Sequence, residues 1–234
     1  LYHFYGYESL AEQYGERFFY SNIDQYYYAK RNTNCGYGKI TTINICQNLK
    51  PNNMLAKNIY GENIDTIKSK FAKVTADGFT PSLAIVFCSI TQNRQELVDF
   101  FNANNVDVFG STTAGEILDD EVMEKTSVVM LLDIKKAHYK LFCEASADTY
   151  KVANDLGLFA KASFANPSVM VISSGLTIDA EQIIKGFMDA DKNIPLYGGL
   201  AGDDLTMKSS YVFTNGQETS TGLIGLVLDG DKIN

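Results

Sequence analysis

Pro81-Ser-Leu-Ala-Ile-Val-Phe-Cys-Ser-Ile-Thr91 returns, little changed, as Pro167-Ser-Val-Met-Val-Ile-Ser-Ser-Gly-Leu-Thr177. The same offset sets Asn93 against Asp179, Glu96 against Gln182, Leu97-Val98 against Ile183-Ile184 and Phe101 against Phe187. Beyond a short insertion, Val108-Phe-Gly-Ser111 meets Leu196-Tyr-Gly-Gly199, and Ala114-Gly-Glu116 meets Ala201-Gly-Asp203. The period is too long for a solenoid repeat, so it reads as one supersecondary unit used twice. Leu83–Cys88 and Val169–Ser173 are continuous apolar runs, as expected of strands buried on both faces. Asn93 and Asp179 suit helix N-caps, and Glu96 and Gln182 complete a capping-box pattern. Positions 97, 98, 100 and 101, and 183, 184, 187 and 188, then form the buried helix faces. Val106–Phe109 and Ile194–Tyr197 are the following strands. Strand–helix–strand with short links predicts a parallel pair with a right-handed crossover.

Working outward, Lys39–Cys46 reads as a strand, Asn63–Thr75 as a helix and Asp148–Ser163 as another. Thr126–Ile134 and Tyr139–Ala145 read as an antiparallel hairpin. Ser210–Thr214 and Gly222–Leu228 are strands joined through Asn215-Gly216, and Leu131-Leu-Asp133 also resembles Val227-Leu-Asp229. The predicted class is α/β: a mixed sheet built on an internally duplicated strand–helix–strand unit, with helices packed on the sheet. Repeat one covers about residues 81–146 and repeat two about 167–230, within a domain spanning 39–234. Ahead of it, residues 1–38 carry nine of the 14 tyrosines and one short helix, Glu8 to Phe19. This Tyr-rich extension reads as a terminal segment packed on the domain, or as an aromatic docking arm. A chain that opens on Leu and stops just past an apolar run reads as an excerpt of something longer.

Composition mostly excludes. Of 234 residues, 45% are hydrophobic and 21% charged, which describes a globular chain and not a disordered one. A net charge of −8 opposes a nucleic-acid partner, whose phosphates the surface would repel. No apolar run suggests membrane insertion and no signal peptide opens the chain. Cys35, Cys46, Cys88 and Cys143 contain no CxxC pair. With His3 and His138 far apart, they make no zinc set. A reduced, cytoplasmic protein is expected.

In strand–helix–strand units, both strand C-termini reach one sheet edge, where ligands of open α/β sheets bind. That places Ser89 and Thr91 of the first loop beside Gly110, Ser111, Thr112, Thr113, Gly115 and Glu116. The duplicate places Ser174 and Thr177 beside Gly198, Gly199, Gly202, Asp203 and Asp204. Glycines admit a ligand close to backbone amides, and helix N-termini favour an anion. Glu116, Asp203 and Asp204 suit an ammonium group. Together they predict a site for a small zwitterion such as an amino acid. The glycine patterns fit neither GxGxxG nor GxxxxGK[ST], so no nucleotide phosphate site is expected.

These elements resemble a known family. Phe87-Cys-Ser89, Phe109-Gly-Ser-Thr-Thr-Ala-Gly-Glu116, Gly198-Gly-Leu-Ala-Gly-Asp-Asp204, Tyr211-Val-Phe213 and Gly222-Leu-Ile-Gly-Leu-Val-Leu228 together look like the N-terminal half of a FIST domain. The resemblance covers about residues 40–230. It implies a sensory module of intracellular signal transduction, found with histidine kinases, cyclic-di-nucleotide enzymes and chemoreceptors, that binds small ligands, amino acids among them. Its implied partners are a C-terminal FIST half, which has no counterpart in this chain, or a signalling output protein.

Some FIST proteins bind haem and sense nitric oxide, so the resemblance also implies, as an alternative, a haem-binding gas sensor. Here only His3 and His138 offer an imidazole, and His138 falls at a predicted turn, so haem is disfavoured and no cofactor is expected. The competing class is a hydrolase using Cys88 at a strand end, or more weakly Ser89 or Ser174, with His138 as base. Cys88 pairs with Ser174 in the duplicate, so the thiol is not a property of the unit. A buried strand cysteine and a non-enzymatic protein are expected.

Overall fold

The structure, a computed structural model, describes residues 54–118, 121–176 and 178–233. The Tyr-rich extension with its expected helix, the strand expected over Lys39–Cys46, and Thr177 lie outside the described residues.

The chain runs β1 (Leu55–Gly61), α1 (Ile64–Thr75), β2 (Leu83–Ser89), α2 (Arg94–Ala103), β3 (Asp107–Thr113), β4 (Glu116–Leu118), β5 (Glu121–Met123) and β6 (Ser127–Asp133). It continues as β7 (Tyr139–Ala145), α3 (Thr149–Ser163), β8 (Pro167–Ser173), α4 (Ala180–Asp191), β9 (Leu196–Leu200), β10 (Val212–Thr214), β11 (Gln217–Thr219) and β12 (Gly222–Asp229). Each helix starts at a polar cap. Asn63 accepts from Thr66 N at 3.0 Å, Asn93 from Glu96 N at 3.2 Å, Asp148 from Lys151 N at 3.0 Å and Asp179 from Glu181 N at 2.9 Å. Each cap satisfies an amide that the first turn leaves without a partner.

The class is mixed α/β, with three sheets among the described residues. One has the order β1-β6-β2-β3-β10-β11, the second β7-β12-β8-β9, and β4-β5 stands as a separate hairpin. The expected parallel pairs are β2 with β3 and β8 with β9. The order β1-β6-β2-β3 recurs as β7-β12-β8-β9, with the same parallel and antiparallel neighbours.

Side-chain alternation turns this topology into four layers. Ala84, Val86 and Cys88 face outward, against Leu97, Val98 and Phe101 of α2 and Ile67 and Phe71 of α1. Leu83 and Ile85 face inward, against Ile172, Ile224 and Leu226 of the second sheet. On the far side Val169, Val171, Leu223 and Val227 carry α3 and α4. Helices, sheet, sheet, helices: every central strand is covered twice, which explains its unbroken apolar sequence.

Three expectations change. Thr126–Ile134 and Tyr139–Ala145 are not a hairpin. The short 3-10 turn Lys136–His138 separates β6 from β7, and each enters a different sheet. Asn215-Gly216 joins β10 to β11, and β12 lies in the other sheet. Third, the offset that pairs Leu83 with Val169 is one residue out within the strand. Leu83 faces the inner core and Val169 the helices, so Ala84 is the residue in Val169's position. By the same shift Ser173, not Ser174, stands where Cys88 does. A one-residue slip reverses every side chain, and a strand apolar on both faces carries no alternation to expose it.

The α3–α4 contact explains a further difference. At Gly186 a Cβ would collide with the Tyr150 carbonyl oxygen, and at Gly157 it would stand 2.6 Å from Ala190 Cβ. With a glycine against α3, α4 buries Ile183 and Phe187 while Ile184 and Met188 turn to solvent, not inward as their spacing predicts. Gly186→Ala therefore sets two effects against each other. Helix propensity favours alanine by about 1 kcal/mol. The clash is with backbone that cannot yield, and overpacking costs about 1–3 kcal/mol. Net destabilisation is expected, and a urea unfolding midpoint at or above wild type would contradict this account of the contact.

Candidate functional site

Thr112 joins the two halves. Its N–H donates to Tyr211 O at 2.9 Å, its carbonyl accepts from Gly202 N at 2.9 Å, its hydroxyl donates to Gly202 O at 2.6 Å and accepts from Tyr211 N at 2.9 Å. β10 continues the joint, with Val212 opposite Ser111 and Phe213 opposite Gly110. Gly202 is required by closeness: a Cβ there would stand 2.7 Å from Ala114 N.

Beside this joint, the inner faces of the two sheets part to leave a cleft of about 450 Å³. Phe87, Ser111 and Thr113 form one wall, Met170, Ile172 and Gly198 to Leu200 the other, and Leu205 and Met207 stand at the mouth. It lies at the C-terminal ends of β3 and β9, the edge expected from the strand order. No residue of α2 or α4 lines it, so the helix N-termini do not form this site. The floor at Gly199 is bare: a Cβ there would meet nothing within 4 Å.

Of the expected site residues, Ser111, Thr113, Gly198, Gly199, Gly202 and Asp203 line the cleft. Ser89, Thr91, Gly110, Thr112, Gly115, Glu116, Ser174 and Asp204 do not. Thr112 is committed to the joint, and Gly110 is covered by the Phe213 ring. Ser174 hydrogen-bonds at Gly222. Ser89 donates to Asp204 Oδ2 at 2.6 Å and shares a 2.7 Å contact with the Thr91 hydroxyl. The apolar wall formed by Phe87, Met170, Ile172, Leu205 and Met207 was missed. Its only sequence signal is the inward phase of the strands, which the one-residue slip conceals.

The carboxylates are engaged locally. Glu116, buried, accepts from the Thr113 hydroxyl at 2.6 Å, the Thr126 hydroxyl at 2.9 Å and Thr126 N at 3.1 Å. Asp203 gathers the 203–209 loop, accepting from the Thr206 hydroxyl at 2.8 Å, Met207 N at 3.1 Å, Lys208 N at 2.6 Å and Ser209 N at 3.2 Å. Burial works against its charge, but the bonds from Lys208, Thr206, Met207 and Ser209 outweigh it and hold the carboxyl below its ordinary range. These bonds also hold Asp204, Leu205 and Met207 at positive φ, conformations costing about 1–3 kcal/mol each for residues with a side chain. The result is that Leu205 and Met207 are 63% and 67% exposed at the cleft mouth.

Cys88 is not placed for nucleophilic chemistry. It is fully buried under α2, donates to Ser111 O at 3.8 Å, and burial pushes its thiol up to about 12. A thiol that stays protonated is no nucleophile. His138 ends the turn between β6 and β7, and no His or Cys lines the cleft among the described residues. No helix among them is long and apolar enough to cross a membrane.

The family model of the FIST N domain matches residues 82–234, more than half of the chain. The chain belongs to the FIST family. No curated protein matches it. The FIST domain is a sensory domain of signal transduction, and in this FIST protein the match takes in every wall of the cleft.

Replacing the Asp203 acceptor tests the loop. Asp203→Asn should lower the melting temperature by about 4 °C near neutral pH, as expected when hydrogen bonds to a charged group are lost. The folded carboxyl titrates below its ordinary 3.8, so its contribution is complete above that pH and is lost as pH falls through the lowered value. Wild type and variant should therefore converge only below about pH 4, by the same linkage. A difference that stayed constant into acid would contradict the assignment.

Proposed function

We propose that this FIST domain is a cytoplasmic sensor that takes a small molecule into the cleft between its two sheets. The observation that carries the reading is the cleft itself: a recess of about 450 Å³, walled by Phe87, Met170 and Ile172 and bare at Gly199. Small-molecule sites have this size and character, mostly apolar with a few convergent polar groups. Ser111 and Thr113 supply those groups here, with the backbone of the Gly198-Gly199 strand.

The ligand class follows from which groups are committed. Glu116 and Asp203 already accept three and four hydrogen bonds, so they are poor receivers for an ammonium group. An amino acid or similar small metabolite with a large apolar body fits better than a compact zwitterion: the body against Phe87 and Met170, the polar end toward Ser111. Binding that favours one separation of the sheets would pass to a C-terminal FIST half or an output protein through the Thr112 joint. The two halves, sharing one strand order, are read as copies of one unit, residues 81–146 and 167–230 being their most similar parts.

A thermal-shift panel of amino acids and apolar carboxylates tests the reading when run on wild type and on Gly199→Leu. The added side chain enters open space, so the fold should tolerate it while the cleft fills. Stabilisation of wild type by large apolar members, lost in Gly199→Leu, is the expected result. No stabilisation by any member, or equal stabilisation of both proteins, would overturn it.

A further inference from the structure

The two sheets differ at one edge. β3 pairs with β2 on one side and β10 on the other, so its outer edge is closed by the β10–β11 hairpin from the second half of the chain. β9 holds the corresponding place in the second sheet and pairs only with β8 among the described residues. In this parallel ladder Val169 N donates to Pro195 O and Ala201 N to Ser173 O. The alternation of such a ladder turns the amides and carbonyls of Leu196, Gly198 and Leu200 to the free side. Tyr197 on this edge is 55% exposed. A free edge bearing apolar side chains is a template for another strand.

The first half contains a hairpin matching the one that closes β3. β4 and β5 are three residues each with two residues between, as are β10 and β11. Yet β4–β5 joins neither large sheet. Ile117 and Val122 are cross-strand partners on it, 56% and 73% exposed. At the closed edge the Phe213 ring lies over Gly110 of β3. Ile117 holds the place of Phe213 in the first hairpin, and Gly198 that of Gly110 in the Phe109-Gly110 and Tyr197-Gly198 match. Among the described residues, both halves of a second joint are thus present and unmade. The chain's own hairpin does not make it, because Glu116 is bonded to Thr113 and Thr126 of the first sheet's side.

We propose that two copies of the chain form a closed dimer in which the β4–β5 hairpin of each adds to the free β9 edge of the other. Ile117 of one copy lies over Gly198 of its partner, and Leu118 stands opposite Tyr197, as Thr214 stands opposite Phe109. One three-residue pairing is marginal alone. Two related by a two-fold axis close on themselves, with no open end for a third copy. The proposal does not depend on the ligand reading.

Sedimentation equilibrium of the full chain should give twice the 25.9 kDa of one copy. Ile117→Lys with Val122→Lys, at exposed positions, should weaken association at least about tenfold, the scale of losing interface anchors. The folded-state circular dichroism should be unchanged. Separately, Leu118→Cys mixed with Tyr197→Cys should give a disulfide-linked pair on mild oxidation that neither variant gives alone. A monomer at all concentrations would overturn the proposal. So would a dimer that the lysines leave intact, or one in which the mixed cysteines do not link.

Discussion

Four hydrogen bonds at Thr112 tie β3 of the first sheet to the segment that runs from β9 into β10, beside the apolar layer packed between the two sheets. Both backbone groups and the hydroxyl, as donor and as acceptor, are used on Gly202 and Tyr211. Everything at the candidate site depends on where this joint brings the chain. It carries the segment after β9 across to β3, starts β10 along the β3 edge, and leaves the inner faces of the two sheets apart beside it. Buried backbone groups need partners, and here the partners lie about ninety residues away in sequence. The joint is therefore a constraint on tertiary structure and not a local turn.

The Asp203 loop is the second consequence. Once Gly202 has passed close to Ala114, the chain must reverse within a few residues to begin β10. Asp203 supports that reversal by accepting from four donors, while Asp204, Leu205 and Met207 take positive φ. Two apolar side chains are left in solvent at the mouth of an apolar cleft. Covering them with another apolar surface recovers about 25 cal/mol for each Å² covered, which is what the proposed apolar ligand would do.

Much of this was readable from local signals. Asn63, Asn93, Asp148 and Asp179 start helices because their side chains satisfy first-turn amides wherever they occur. The apolar runs at Leu83 and Val169 are strands, and of the glycine-rich stretches the one at Gly198, Gly199 and Gly202 borders the cleft. Phase was not readable. A strand covered on both faces has no polar side to fix which residue faces which layer, and the one-residue slip between Leu83 and Val169 hid Met170 and Ile172 from the site. The local hydrogen bonds of Glu116 and Asp203 were not readable for another reason. A carboxylate beside Thr and backbone amides looks the same in sequence whether it awaits a ligand or is already bonded. β1 carries little apolar character and is, among the described residues, an edge strand with several exposed positions.

The central claim is that a small molecule binds between the sheets and not at the helix N-termini. Methyl-resolved NMR titration with the best apolar member of the ligand panel tests it most directly. The account predicts shifts concentrated at Met170, Ile172, Leu200, Leu205 and Met207, with methyls beside the α2 and α4 N-termini unmoved. Shifts centred on Ile90 and Ile178, at those N-termini, would contradict it.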